Sequence, residues 1–125
     1  MKAALAAGPA LELALLFGSA ARGRLHSGSD LDVGIIPVNA ELSLREELDL
    51  SAALTRATGR EVDLVRLDQA SPVVRWEVAK AHVPLVGGRP GVLSGFLARA
   101  ALDHADIAPL LAEASARLRR RLAGT

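Results

Sequence analysis

The chain has 125 residues, 50% of them hydrophobic, which is enough for one continuous core and one domain. Its formal net charge is +1 and its only aromatic side chains are Phe17, Trp76 and Phe96, so a general attraction to polyanions and the stacking platforms of single-strand nucleic-acid binders are both excluded. The absence of cysteine rules out disulfides, thiolate metal sites and cysteine nucleophiles, and leaves carboxylates and histidines as the strong metal ligands.

Met1 to Leu16 is apolar and carries Lys2, as an export signal would, but Glu12 interrupts the run and it leads straight into a motif. The expectation is a cytoplasmic protein. No apolar stretch reaches the roughly 18 to 20 residues of a spanning helix, so no membrane partner is expected. Leu11 to Phe17 is a short, nearly continuous apolar run stopped by Gly18, the pattern of a buried strand. Leu31 to Ile36 repeats it before Pro37. Glu41 to Ala57 combines good helix formers with apolar positions at Leu44, Leu48, Ala52 and Leu54, and Gly59 stands just past its end. Glu61 to Leu67 reads as a third strand. Ser71 and Pro72 are suited to cap and open a helix running to about His82.

Val83 to Val86 is a short fourth strand, followed by the breaker cluster Gly87-Gly88-Arg89-Pro90-Gly91. Val92 to Leu122 is helical by pattern, with Phe96, Ala100, Ile107, Leu110, Leu111, Ala114, Leu118 and Leu122 near one stripe. Pro109, in the first turn after a cap at Asp106, predicts a kink or a restart. The fold class is therefore α/β: a small mixed β-sheet covered by helices, with a C-terminal helix or kinked helix pair packed against it. Residues 1–125 are expected to form one domain, with a core over 11–87 and a helical segment over 91–123.

The chemistry concentrates between Leu16 and Val33. Gly18 and Ser19 follow a buried strand, so backbone N–H groups and the Ser19 hydroxyl face whatever sits above the strand end, an anion site. Asp30 and Asp32 are two apart on the next strand, whose period of two places both carboxylates on one face. Like charges held that close call for a cation between them. Asp63, between Val62 and Leu64, supplies a third carboxylate. Three carboxylates around a phosphate-binding turn describe a two-metal phosphoryl-transfer site.

These residues resemble the minimal nucleotidyltransferases of the DNA polymerase beta superfamily, whose signature is Gly-Ser, ten intervening residues and Asp-x-Asp. Gly18-Ser19, Ala20 to Ser29 and Asp30-Leu31-Asp32 reproduce it without a gap. The resemblance implies a polymerase-beta-like fold, two Mg²⁺ or Mn²⁺ ions held by Asp30, Asp32 and Asp63, ATP as the substrate, and phosphate contacts from Gly18, Ser19, Arg22 and Ser29. It covers roughly Leu11 to Leu67 well. The tail F-L-A-R-A-A-L-D-H-A-D-I-A-P-L-L is similar, more loosely, to that of bacterial members paired with HEPN-domain toxins, many of which transfer AMP to a tyrosine of the toxin. His104 stands where those members often carry a tyrosine. A HEPN-domain toxin is thus the implied partner, with Phe96 and Trp76 the expected docking anchors. A homo-oligomer is left open, and no direct nucleic-acid binding is expected.

Val33, Gly34 and Ile35 lack the oxygen ligands of a calcium loop, and Arg24-Leu25 stands where a phosphate-binding Walker loop needs Lys followed by Ser or Thr. His26, His82 and His104 have no metal spacing. Arg117, Arg119, Arg120 and Arg121 suit the negative end of a helix dipole. Two rival functions remain at this level: a non-catalytic inhibitor that masks its toxin, and a small-molecule nucleotidyltransferase.

Overall fold

The computed structural model describes residues 1–24 and 30–124, in the order α1 (Lys2–Ala7), β1 (Leu11–Phe17), β2 (Leu31–Pro37), α2 (Leu44–Thr58), β3 (Val62–Arg66), α3 (Pro72–Lys80), β4 (His82–Val86) and α4 (Val92–Ala123). The four strands form a mixed sheet ordered β3-β2-β1-β4, with β1 antiparallel to β2 and β4, and β2 parallel to β3. The expected α/β class holds, and each of the four strands lies within a residue or two of its apolar run.

Alternation along the strands splits the core in two. Ala14, Leu31, Val33, Ile35 and Val62 pack with Leu5 of α1 and with Leu50 and Leu54 of α2 on one face. Leu13, Leu15 and Leu67 pack with Val78 of α3 and Phe96 of α4 on the other. Gly34, in the middle of β2, is where Leu67 crosses the sheet: a Cβ there would sit 2.8 Å from the Leu67 Cγ. Glycine in a strand interior is explained here by that close approach.

Several local expectations are revised. The sequence reading had no element before β1, whereas Lys2–Ala7 forms a short helix that ends at Gly8 and buries Leu5. α2 starts at Leu44 rather than Glu41, because Ser43 and Glu46 form a capping box: the Ser43 Oγ accepts from the Glu46 N–H at 3.1 Å and Glu46 Oε1 accepts from the Ser43 N–H at 3.3 Å. Its buried face carries Leu50 and Leu54, while Leu44 and Leu48 are exposed. Leu48 lies two residues before Leu50, roughly 200° around the helix at 3.6 residues per turn.

Of the two forms expected for the C-terminal segment, the single helix holds: α4 runs through Pro109 without a restart. Proline removes one hydrogen bond, to the carbonyl four residues earlier, and a helix of 32 residues absorbs that loss. Only Phe96 and Ala100 of α4 are buried. The helix packs along α3 up to a stack of His104 on Trp76, ring centroids 4.2 Å apart and 8° from parallel. Beyond it Leu110, Leu111, Leu118 and Leu122 are exposed, so the predicted stripe is packed over its first part only. Phe96 is buried in the core and is not a free docking anchor, while Trp76 is half-buried and stacked on His104.

One buried cation ties the far end of β3 to the rest. Arg66 donates to both Asp68 oxygens at 2.9 and 2.7 Å, to Glu47 Oε1 at 2.9 Å, and to the Ala40 carbonyl at 3.0 Å. Two carboxylates and a backbone oxygen thereby satisfy a guanidinium out of water, which is the condition for burying one. No helix among the described residues is long and apolar enough to cross a membrane.

Candidate active site

Strand register gathers the candidate residues into the last row of the sheet. Phe17 pairs with Asp32 on one side and His82 on the other, and Asp32 pairs with Asp63, so the row reads His82, Phe17, Asp32, Asp63 across β4, β1, β2 and β3. Leu31, Val33 and Val62 fill the α1/α2 face, so alternation sends Asp32 and Asp63 to the α3/α4 face. Asp30 stands one residue before β2 rather than within it, exposed at the same end of the sheet.

Asp32 is half-buried, and Asp30 and Asp63 are exposed. Burial, then the Asp63 charge, then the Asp30 charge, push the Asp32 carboxyl above its ordinary value. Three carboxylates thus interact electrostatically, and their hard oxygen atoms are the donor type that Mg²⁺ and Mn²⁺ accept. Among the described residues no group of three or more His, Asp or Glu side chains is gathered closely enough to hold a metal ion. The three aspartates interact through charge, with Asp32 as the common member.

Gly18 follows directly on β1 with φ +72, a left-handed conformation that a side chain tolerates poorly. Space forbids one as well: a Cβ on Gly18 would run into Asp32 Oδ2, with Asp32 Cγ at 3.3 Å. The glycine therefore lets the turn lie against the central carboxylate. After it the chain makes hydrogen-bonded turns. The Arg22 N–H donates to the Gly18 and Ser19 carbonyls at 3.3 and 3.2 Å, and the Arg24 N–H to Ser19 at 2.9 Å. Gly18 is brought against Asp32 and Ser19 follows it in the turn, while Ser29 and His26 lie outside the described residues.

Arg22 extends from this turn to α3, where its Nη2 meets Glu77 Oε2 at 3.4 Å. The other Glu77 oxygen meets Lys80 Nζ at 2.9 Å. The Lys80 ammonium first, and Arg22 after it, hold the Glu77 carboxyl below its ordinary value. Sequence reasoning passed over Glu77 and Lys80. Their spacing of three on a helix signals only a local pair, and nothing local signals the contact with a residue 55 positions away.

The polymerase beta nucleotidyltransferase family model matches residues 1–88, which holds the whole sheet, the turn and all three aspartates. The chain belongs to this family. It is 36% identical over 79 residues to the protein adenylyltransferase MntA of Shewanella oneidensis, and spans 56% of the length of that curated relative. A chain of a toxin–antitoxin crystal structure with AMP-PNP superposes with TM-score 0.72 at 28% identity, over 91% of this chain and 88% of that one. A chain of the complex of tri-AMPylated Shewanella oneidensis HEPN toxin with MNT antitoxin superposes with TM-score 0.65 at 25% identity, over 91% and 85%. The α4 segment lies beyond the family match but within reach of these superpositions.

Proposed function

We propose that the protein transfers AMP from ATP to a hydroxyl of a partner protein, with Asp30, Asp32 and Asp63 holding two divalent ions, Mg²⁺ or Mn²⁺, and that the partner is a HEPN-type toxin which it thereby silences. The observation that carries this reading is the pairing of Asp32 with Asp63 in one row, against the Gly18 turn whose missing side chain keeps the path to Asp32 open. The names of the similar proteins support the choice of AMP, of ATP and of a toxin as acceptor.

In this reading Gly18 and Ser19 offer backbone N–H groups to the triphosphate, with the Arg22 guanidinium offsetting the charge of its outer oxygens and the Ser29 hydroxyl donating a hydrogen bond to them. The acceptor oxygen attacks the α-phosphorus; the new O–P bond forms as the bond to the bridging oxygen of the β-phosphate breaks, and pyrophosphate leaves. Asp63, exposed on the outer strand, takes the hydroxyl proton. Ions bound by the three carboxylates supply charge stabilisation at the α-phosphate and the leaving group. Core residues 11–87 carry the chemistry, and segment 91–123 presents the partner.

Masking of the toxin by binding alone is favoured by one observation of its own, the exposed Leu110, Leu111, Leu118 and Leu122 on α4. The two activities are separable by experiment. Calorimetry should show ATP binding that depends on Mg²⁺ or Mn²⁺ and is lost on chelation; no metal-dependent binding of any nucleotide would overturn the catalytic reading and leave masking.

A further inference from the structure

Glu77 joins two cations that otherwise belong to different parts of the chain. Arg22 sits on the turn after β1, four residues past Gly18, and Lys80 sits in the last turn of α3. All three side chains are close to half-exposed: 41% for Arg22, 49% for Glu77 and 42% for Lys80. Exposed pairs of this kind contribute about 0 to 1 kcal/mol, too little to explain the contact as a stabilising element. Weak holding is, however, what an exchangeable counterion needs. A polyphosphate carries several charges and accepts charge-assisted hydrogen bonds that a single exposed carboxylate does not match.

We propose that Glu77 is a placeholder for nucleotide phosphate, and that Lys80 is a further phosphate-contacting residue recruited from α3. Without nucleotide, the Glu77 carboxylate keeps the Lys80 ammonium gathered with Arg22, which stands on the turn that follows Gly18. An arriving triphosphate takes Arg22 and Lys80 from it, so one displaced carboxylate releases two preoriented cations. The three side chains carry a formal charge of +1 together, and +2 once Glu77 is neutralised. The exchange replaces a carboxylate bridge between the turn and α3 by a phosphate bridge, which couples nucleotide binding to the helix that α4 packs against.

This inference rests on the nucleotide site proposed above, and its test separates the two. ATP affinity is measured with Mg²⁺ on the full chain and on Glu77→Gln, Lys80→Ala and Lys80→Arg, each at low and high salt and each with a melting temperature. Glu77→Gln should bind ATP about threefold more tightly at low salt, an advantage that shrinks at high salt. Lys80→Ala should bind several-fold more weakly, Lys80→Arg should restore most of the affinity, and adenosine affinity should be the same in all four. Melting temperatures should stay within about 2 °C of the parent. Weaker or unchanged ATP binding by Glu77→Gln, or equal loss in Lys80→Ala and Lys80→Arg, would overturn the placeholder role while the parent chain's metal-dependent binding still stood. Absence of binding by the parent chain would overturn the nucleotide site, and this inference with it.

Discussion

The carboxylate end of the sheet and the far half of α4 are both poorly buried, but for opposite reasons. At the sheet end, a packed scaffold of Leu13, Leu15 and Val33 holds Asp32 beside Asp63 against their mutual repulsion. Along α4 beyond His104, the large apolar side chains of Leu110, Leu111 and Leu118 are exposed. One region is a charge arrangement that its own fold sustains at a cost, and the other is apolar surface that its own fold does not use. In the proposed function the first region would hold the divalent ions and the second would face the partner protein.

If that contrast is right, changes at the two ends should separate chemistry from docking. The largest effect is expected from Asp32→Asn, which should lower the rate of nucleotidyl transfer by at least about 10²-fold, read by single-turnover labelling, without loss of partner capture. Ending the chain before Pro109 should do the reverse. Phe96, Ala100 and the Trp76–His104 stack remain, so the melting temperature should move by no more than about 2 °C, while affinity for the partner falls by roughly 30-fold, the loss expected when an interface anchor is removed. A cut after Gly88 would not make this distinction, because it also removes Phe96 from the core.

A smaller effect comes from the turn. Gly18→Val should weaken nucleotide binding by about tenfold, since φ +72 and the Asp32 carboxylate both reject a side chain, whereas Ser19→Ala should cost about threefold as one donor among several. Equal effects in a titration would contradict the close approach of turn and carboxylate.

The smallest effect is on stability. The Asp32 carboxyl is raised in the folded chain, so its ionised form destabilises the fold above that raised value. The penalty fades as pH falls through it and is gone below the ordinary aspartate value of about 3.9. Asp32→Asn should therefore melt a few degrees higher than the parent at neutral pH without metal, and the gain should vanish in acid. Excess Mg²⁺ should stabilise the parent but not the variant. A variant that melts lower at neutral pH would mean that Asp32 is not held under repulsion.

Much of this arrangement was readable from the chain. The strands announce themselves as apolar runs ended by Gly18 or Pro37, and the fixed spacing from Gly18-Ser19 to Asp30-Leu31-Asp32 marks the site because that spacing is a property of the sequence itself. What stayed hidden depends on contacts made only by folding. Leu44 and Leu48 look like core positions until the sheet selects Leu50 and Leu54. Pro109 looks like a break because local propensity says nothing of the long helix on both sides of it. Arg66 reads as an ordinary strand residue, and its carboxylates come from α2 and the loop after β3. Glu77 is invisible for the same reason, its partner Arg22 lying on the far side of two strands in sequence.

The most direct test of the central claim is label transfer within the complex. The full chain, co-purified with the proposed HEPN-type partner, is given Mg²⁺ and ATP labelled at the α-phosphate, with γ-labelled ATP as the control. The account predicts a covalent label on a hydroxyl of the partner from α-labelled ATP alone, reduced at least about 10²-fold in Asp32→Asn. Label from γ-labelled ATP, or equal α-label with parent and Asp32→Asn, would contradict it.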